Sequence, residues 1–390
     1  MKLRLFAGPF ADAVAHVARA LPTRPPVPVL AGILLATGDG GLALSAFDYE
    51  SCATTSALAE IADDGSALVS GRLLGDIAKA LPKGAEVDLE LTDTRLLVRA
   101  GSARFELPLL PIDEYPALPA TPDAVFTAHA DEFADDVAQV VVAAGTDDSL
   151  PVLTGVLLTL DDDGRLTMAA TDRYRFAVRE TRVQPTGTVP TDNGEAASTV
   201  LVPAKWLLDA TKALAGDHPL HAGWSGGQFT LSVPGRHTIG TRLLAGEFPK
   251  FRNLFPSPAD AKMVITVPVA ETIAALKRVA LVIDTKRPVR LTHEDGRLAL
   301  AAGDDDSASA LDRVTCHATG AVDRPEGCDA AFKPSYLIDA LQALTEPEAR
   351  LYLTTPHKPA LILGHVGDSA DIGYEHLLMP IRLNAATTSA

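Results

Sequence analysis

The stretch VLVPAKWLLDATKAL (Val200–Leu214) reads as a short apolar strand running directly into an amphipathic helix. ALVSGRLLGDIAKAL, ending at Leu81, and AAFKPSYLIDALQAL, ending at Leu344, read the same way. The pattern recurs after 133 and then 130 residues, and three such periods account for the 390-residue chain. A period of this length is too long for a solenoid repeat and matches an ordinary domain.

A second helical pattern precedes each of these stretches. Apolar residues fall at i, i+4 and i+7 in Phe10, Val14, Val17, in Phe133, Val137, Val140 and in Val269, Ile273, Leu276, one stripe of a helix each time. Between the two helices, LALSAF (42–47), LTMAAT (166–171) and LALAAG (298–303) alternate as half-buried strands do. Upstream, PVPVLAGILL and SLPVLTGVLL place Gly32 and Gly155 in register. The spacing predicts an α+β protein of three tandem homologous domains, each with two helices packed on β-sheets. They span residues 1–120, 127–256 and 262–383, parted by the proline-rich PALPATPD (116–123) and FPSPAD (255–260), with a disordered tail at 384–390.

Composition narrows the function classes. Hydrophobic residues make up 47% and charged residues 22%, enough apolar content for sizeable cores. No apolar run reaches the ~20 residues of a membrane span, and MKLRLFAGPF lacks the core of a secretory signal, so a cytoplasmic protein is expected. Cys52, Cys316 and Cys328 form no CxxC pair, and Cys316–His317 has no second pair for zinc. There is no P-loop or HExxH, and the acids of DDSLP (147–151) and GDDDS (303–307) read as turns, so a nucleic-acid-acting enzyme is a poor fit. No cofactor is expected. A net charge of −16 opposes non-specific binding of nucleic acid by the whole surface but allows a local basic face.

The three copies also serve as an internal control. Asp48, Asp172 and Asp304 follow the alternating strand at equivalent places. Only the second copy continues with Arg173-Tyr174-Arg175-Phe176, which marks that hairpin as decorated for a partner.

The segments RPPVPVLAGILL (24–35), TDRYRFAVRE (171–180), EFPKFRNLFP (247–256), KPSYLIDALQAL (333–344) and HLLMPIRL (376–383) occur in an order that resembles the bacterial replicative sliding clamp, the β subunit of DNA polymerase III. The resemblance implies a head-to-tail homodimer, a six-domain ring around double-stranded DNA held without regard to sequence. It implies a non-catalytic processivity factor whose partners are the polymerase III α subunit, the clamp loader, and other polymerases and repair proteins bearing clamp-binding motifs. A second clamp copy conferring resistance to a clamp-targeting inhibitor is the alternative.

The same resemblance assigns residues. A peptide-binding pocket would draw Leu153, then Thr171, Arg173, Tyr174, Arg175 and Phe176 of the hairpin. The linker would add Pro249 and Leu254, a later turn Pro359, and the C-terminal segment Leu377, Met379, Pro380, Ile381 and Arg382. Without the family, Leu153, Leu254, Leu377 and Met379 read as core. The Arg173-Tyr174 pair is bulkier than the Gly-His of some clamps, Phe176 stands for a Leu, and Asn253 stands where some relatives have arginine. Arg24 matches a DNA-touching position. Arg72 and Lys79, like Lys205 and Lys212, lie seven residues apart and share a helix face, so they are either phosphate-facing or paired with Asp76 and Asp209. The dimer seam would set Phe105 and Leu107 against the partner's Ala280 and Leu281.

Overall fold

The computed structural model describes residues 1–38, 40–187, 191–192, 195–196, 198–283, 287–303, 308–320, 330–365 and 373–382. Asp304 with the acids beside it, Cys328 and the 384–390 tail lie outside the described residues. Six α-helices appear among those described: α1 (Ala7–Val17), α2 (Gly71–Ala80), α3 (Ala130–Val141), α4 (Ala204–Ala213), α5 (Val269–Val279) and α6 (Pro334–Gln342). They fall two to a repeat, as the periodicity predicts. The stripes of the first two copies, Phe10, Val14, Val17 and Phe133, Val137, Val140, are fully buried. In the third, Val269 and Leu276 are buried while Ile273 packs from the margin, because Thr272 takes the interior place and donates its hydroxyl to the Pro268 carbonyl at 2.7 Å.

By their contacts the residues group into two compact units. One comprises Met1–Ala134, Val183–Ser198 and Asp209–Leu243, the other Asp135–Arg182, Thr199–Leu208 and Leu244–Ala390. The physical reason is strand pairing across repeats. In the first unit, His237–Arg242 of the second repeat pairs antiparallel with Ser51–Ala57 of the first. In the second unit, Arg175–Arg182 pairs antiparallel with Tyr374–Leu378 of the third repeat. Each pairing fuses two half-domains into one nine-stranded sheet. The second repeat is thereby shared between the units.

The first unit's nine-stranded sheet carries the Gly41–Phe47 and Ser51–Ala57 hairpin beside Gly32–Gly38, and its five-stranded sheet ends on the free edge of Ala103–Pro108. Helices α1 and α2 pack against each other. Across α1, the His16 ring lies 4.4 Å from that of His237, with His16 Nε2 3.4 Å from the Thr238 carbonyl.

The second unit's nine-stranded sheet holds Arg165–Thr171, Arg175–Arg182, Tyr374–Leu378 and Ala360–His365 side by side. Its four-stranded sheet ends at one side on Ala310–Thr315. Between the sheets, α5 and α6 bury Ala275, Leu276, Val279, Leu337, Ala340 and Leu341 in one core. A buried leucine of this kind typically loses 2–5 kcal/mol when cut to alanine. No described helix is long and apolar enough to cross a membrane.

Candidate peptide-binding site

The hairpin at Thr171–Phe176 is built by its own polar side chains. Asp172 Oδ1 accepts from the Tyr174 and Arg175 amides at 3.0 and 3.1 Å. Thr171 Oγ1 donates to the Arg175 carbonyl at 2.7 Å and accepts from the Arg173 amide. Such an Asx turn brings one residue to positive φ, here Arg173 at 80°. The first repeat builds the same turn: Asp48 Oδ1 accepts from Glu50 and Ser51 amides at 3.0 and 2.6 Å, and Tyr49 has φ 75°. The aspartate is therefore scaffold, and the residues after it are the variable part.

Strand alternation then sends neighbouring side chains to opposite faces. Phe176 opposes Leu377 across the antiparallel pair, and Thr171 opposes Phe176 on the other side. All three are buried, on the face where Ala169, Val178, Leu201 and Phe248 complete a small apolar cluster. The linker covers this face with aromatic rings: Phe251 stacks on Phe176 at 5.0 Å between centroids, while Phe248 and Phe255 meet it edge-on at 5.8 and 5.9 Å. Each such contact adds about 0.5–1.5 kcal/mol to the burial itself. Arg252 clamps the linker, with its guanidinium 5.2 Å from the Phe251 ring and in an ion pair with Glu180.

Arg175 points the other way, toward α6. Its Nε lies 3.0 Å from Asp172 Oδ2 and its Nη1 2.6 Å from Asp339 Oδ2. Its guanidinium also lies 4.2 Å over the Tyr336 ring, whose hydroxyl is pushed up in pKa by burial and by the Asp172 carboxylate. The side chain is 10% exposed, so Arg175 is an internal tie between hairpin and helix.

The C-terminal segment runs over the end of this sheet. The Met379 amide donates to the Tyr174 carbonyl at 2.8 Å, and the Ile381 amide donates to the Ala331 carbonyl at 2.7 Å. Pro359 precedes Ala360, which pairs with Leu378, so it borders Met379. Below, His376 is fully buried with its Nδ1 2.8 Å from the Tyr374 hydroxyl, and burial followed by the Arg175 charge lowers its pKa to about 3.

Exposure separates floor from rim. Thr171, Phe176 and Leu377 form a closed floor, so the core reading holds for Leu377. It does not hold for Leu254 and Met379, which are 51% and 40% exposed; Ile381 and Tyr174 stand open beside them at 36% and 56%. Arg173, Pro249 and Arg382 are exposed; Leu153, Pro359 and Pro380 are half-buried. Large apolar side chains held open beside a finished core are the mark of a binding surface.

The first unit supplies a control for this arrangement. Its Arg242 amide donates to the Glu50 carbonyl at 2.9 Å, as Met379 does to Tyr174. There Cys52 opposes Gly240 where Phe176 opposes Leu377, and an Arg242–Glu50 ion pair at 3.7 Å stands in place of Met379 and Tyr174. The same backbone thus occurs twice, with Tyr49 exposed in the first unit and Tyr174 and Met379 in the second.

Sequence reading missed Phe248, Phe251, Phe255, Lys333, Tyr336 and Asp339. The three-to-four-residue spacing of phenylalanines in the linker was a usable signal. Nothing local marks Asp339, which lies 164 residues from Arg175.

The remaining assigned positions lie elsewhere. Arg24, Arg72, Lys79, Lys205 and Lys212 are exposed, and none forms an ion pair with Asp76, Asp209 or another described residue. Leu107 is fully buried opposite Leu96, so its side chain faces inward from the Ala103–Pro108 strand. Phe105 and Ala280 are half-buried, and Leu281 is 84% exposed. Among the described residues no group of three or more His, Cys, Asp or Glu side chains is placed to hold a metal ion.

Comparison with known proteins agrees with this fold along its length. Residues 1–119, 127–250 and 252–382 match, in order, the N-terminal, central and C-terminal domains of the DNA polymerase III beta subunit. The chain belongs to this family, the bacterial sliding clamps, a non-catalytic processivity factor of replication. A beta sliding clamp from Streptomyces coelicolor is 46% identical over 98% of this chain and 100% of its own. The beta sliding clamp homolog GriR from Streptomyces muensis is 37% identical over 96% of this chain and 97% of its own. The crystal structure of the Caulobacter crescentus clamp superposes with a TM-score of 0.85 at 26% identity, covering 98% of this chain and 100% of that one.

Proposed function

We propose that the chain acts as a head-to-tail homodimeric ring that encircles duplex DNA and tethers polymerase III and other motif-bearing proteins through the hairpin, linker and C-terminal segment of the second unit. The observation that carries the tether is the contrast between two copies of one backbone. Where the first unit carries a solvent-exposed Arg242–Glu50 ion pair, the second presents Met379, Tyr174 and Leu254 to solvent. An apolar surface with a methionine wall accommodates varied leucine and phenylalanine anchors. The exposed cations Arg72, Lys79, Lys205 and Lys212, with Arg24, which form no ion pair among the described residues, fit phosphate contacts that position DNA without reading it. Ring closure is supported by the free edges Ala103–Pro108 and Ala310–Thr315, with Phe105 at the first and Leu281 near the second. The decisive experiment is Met379→Glu: capture of a polymerase-derived peptide should fall at least tenfold while the dimer survives. Unchanged affinity places the tether elsewhere.

A second reading is a clamp copy that tolerates a clamp-directed inhibitor. The Pseudomonas aeruginosa clamp has been crystallised with griselimycin, and the floor here is closed by the Phe176–Phe251 stack. Griselimycin binding measured on this chain distinguishes the two readings, since tight binding removes the second.

A further inference from the structure

We infer that the joint between the second and third repeats holds buried structural water, which donates hydrogen bonds to Gln139 Oε1 and His376 Nε2. Gln139 belongs to the last turn of α3, on the second repeat, and the third repeat grips it at two points. Its Nε2 donates to the Ala343 carbonyl, just beyond α6, at 2.7 Å. Its own carbonyl lies 3.2 Å from the Tyr374 hydroxyl, and that hydroxyl lies 2.8 Å from His376 Nδ1. Gln139 is 8% exposed and His376 not at all, with Ala343 and Tyr374 buried beside them. Within this knot two side-chain atoms, Gln139 Oε1 and His376 Nε2, are buried and meet no hydrogen-bond partner among the described residues. Buried polar atoms that no protein group reaches are rare, and ordered water is their usual partner.

The neighbours fix which of these atoms donate and which accept. Turning the Gln139 amide over would set two oxygens 2.7 Å apart, so Oε1 is the loose end, and it can only accept. Carbonyls in the last turn of a helix lack helical partners, and the Ala143 amide goes to Val140 rather than to Gln139. The Tyr374 proton therefore goes to the Gln139 carbonyl, and the Tyr374 oxygen accepts Nδ1–H from His376. His376 Nε2 is left as a bare lone pair. Two buried acceptors call for a donor with two hydrogens. A cation would meet neutral ligands alone, because Asp136, one turn back on α3, is held by Arg179 and Asp339 by Arg175, each at 2.6 Å. Burial and the Arg175 charge keep the imidazole itself neutral. Water, with two O–H groups and no charge, is the ligand that fits.

The test is a crystal structure of the full-length protein at a resolution that shows ordered solvent, together with the nitrogen NMR spectrum of its histidine side chains. Solvent density should stand about 2.7–3.2 Å from both Gln139 Oε1 and His376 Nε2 in every copy of the chain. The His376 imidazole should be the Nδ1–H tautomer, with Nε2 unprotonated. A joint in which either atom is dry, a direct contact between Gln139 Oε1 and His376, or an Nε2–H tautomer overturns the inference. Each of those results leaves the tether and the ring untouched, because neither depends on what fills this joint.

Discussion

Arg175 and Arg173 stand two residues apart in one hairpin and do different work. Arg175 neutralises Asp172 and Asp339 and packs on Tyr336. Replacing it with alanine strands two carboxylates, one of them largely buried, and should destabilise the second unit by about 2–4 kcal/mol in denaturant unfolding. Arg173 is exposed and strained, so Arg173→Gly should stabilise by about 0.5–1 kcal/mol. A destabilising Arg173→Gly would contradict the strain argument. The sequence distinguished these arginines from the rest of the chain but not from each other. Their difference depends on Asp339 and on which face each strand position takes, and only the folded pairing supplies both.

At the scale of elements, helices and alternating strands were legible because their periodicity is local. The stripes Phe10, Val14, Val17 and Phe133, Val137, Val140 went where the spacing put them. Pairings between repeats were not legible, because they are made of backbone hydrogen bonds that leave no side-chain signature. For the same reason the apolar character of Leu107 does not say which side of an edge strand is the core. The two seams also set a pH dependence. His16 is brought to a pKa of about 4 by burial, then by His237 and Arg19, against a raising contact from the Thr238 carbonyl, and His376 to about 3 by burial and Arg175. Both are neutral when folded and charge on unfolding near 6.5, so their stability is fully present above pH 6.5. It is lost progressively as pH falls toward 4 and then 3. At pH 5 the loss is about 2 kcal/mol per imidazole, and His16→Phe should flatten the urea-midpoint profile between pH 7.5 and 5. An unchanged slope would mean that His16 is not buried neutral.

For the whole molecule, the proposed ring, with a net charge of −16 and exposed cations on α2 and α4, should touch DNA weakly and in a salt-sensitive way. Retention would then come from topology. The protein should sediment as a dimer at micromolar concentration, and a monomer there would remove the ring. The most direct measurement loads the protein onto nicked circular DNA, isolates the complex, and then linearises the DNA. A topological ring stays on the circle and runs off the linear form within the time of the cut. Equal retention on both forms would show that it is held by affinity, and would contradict the account.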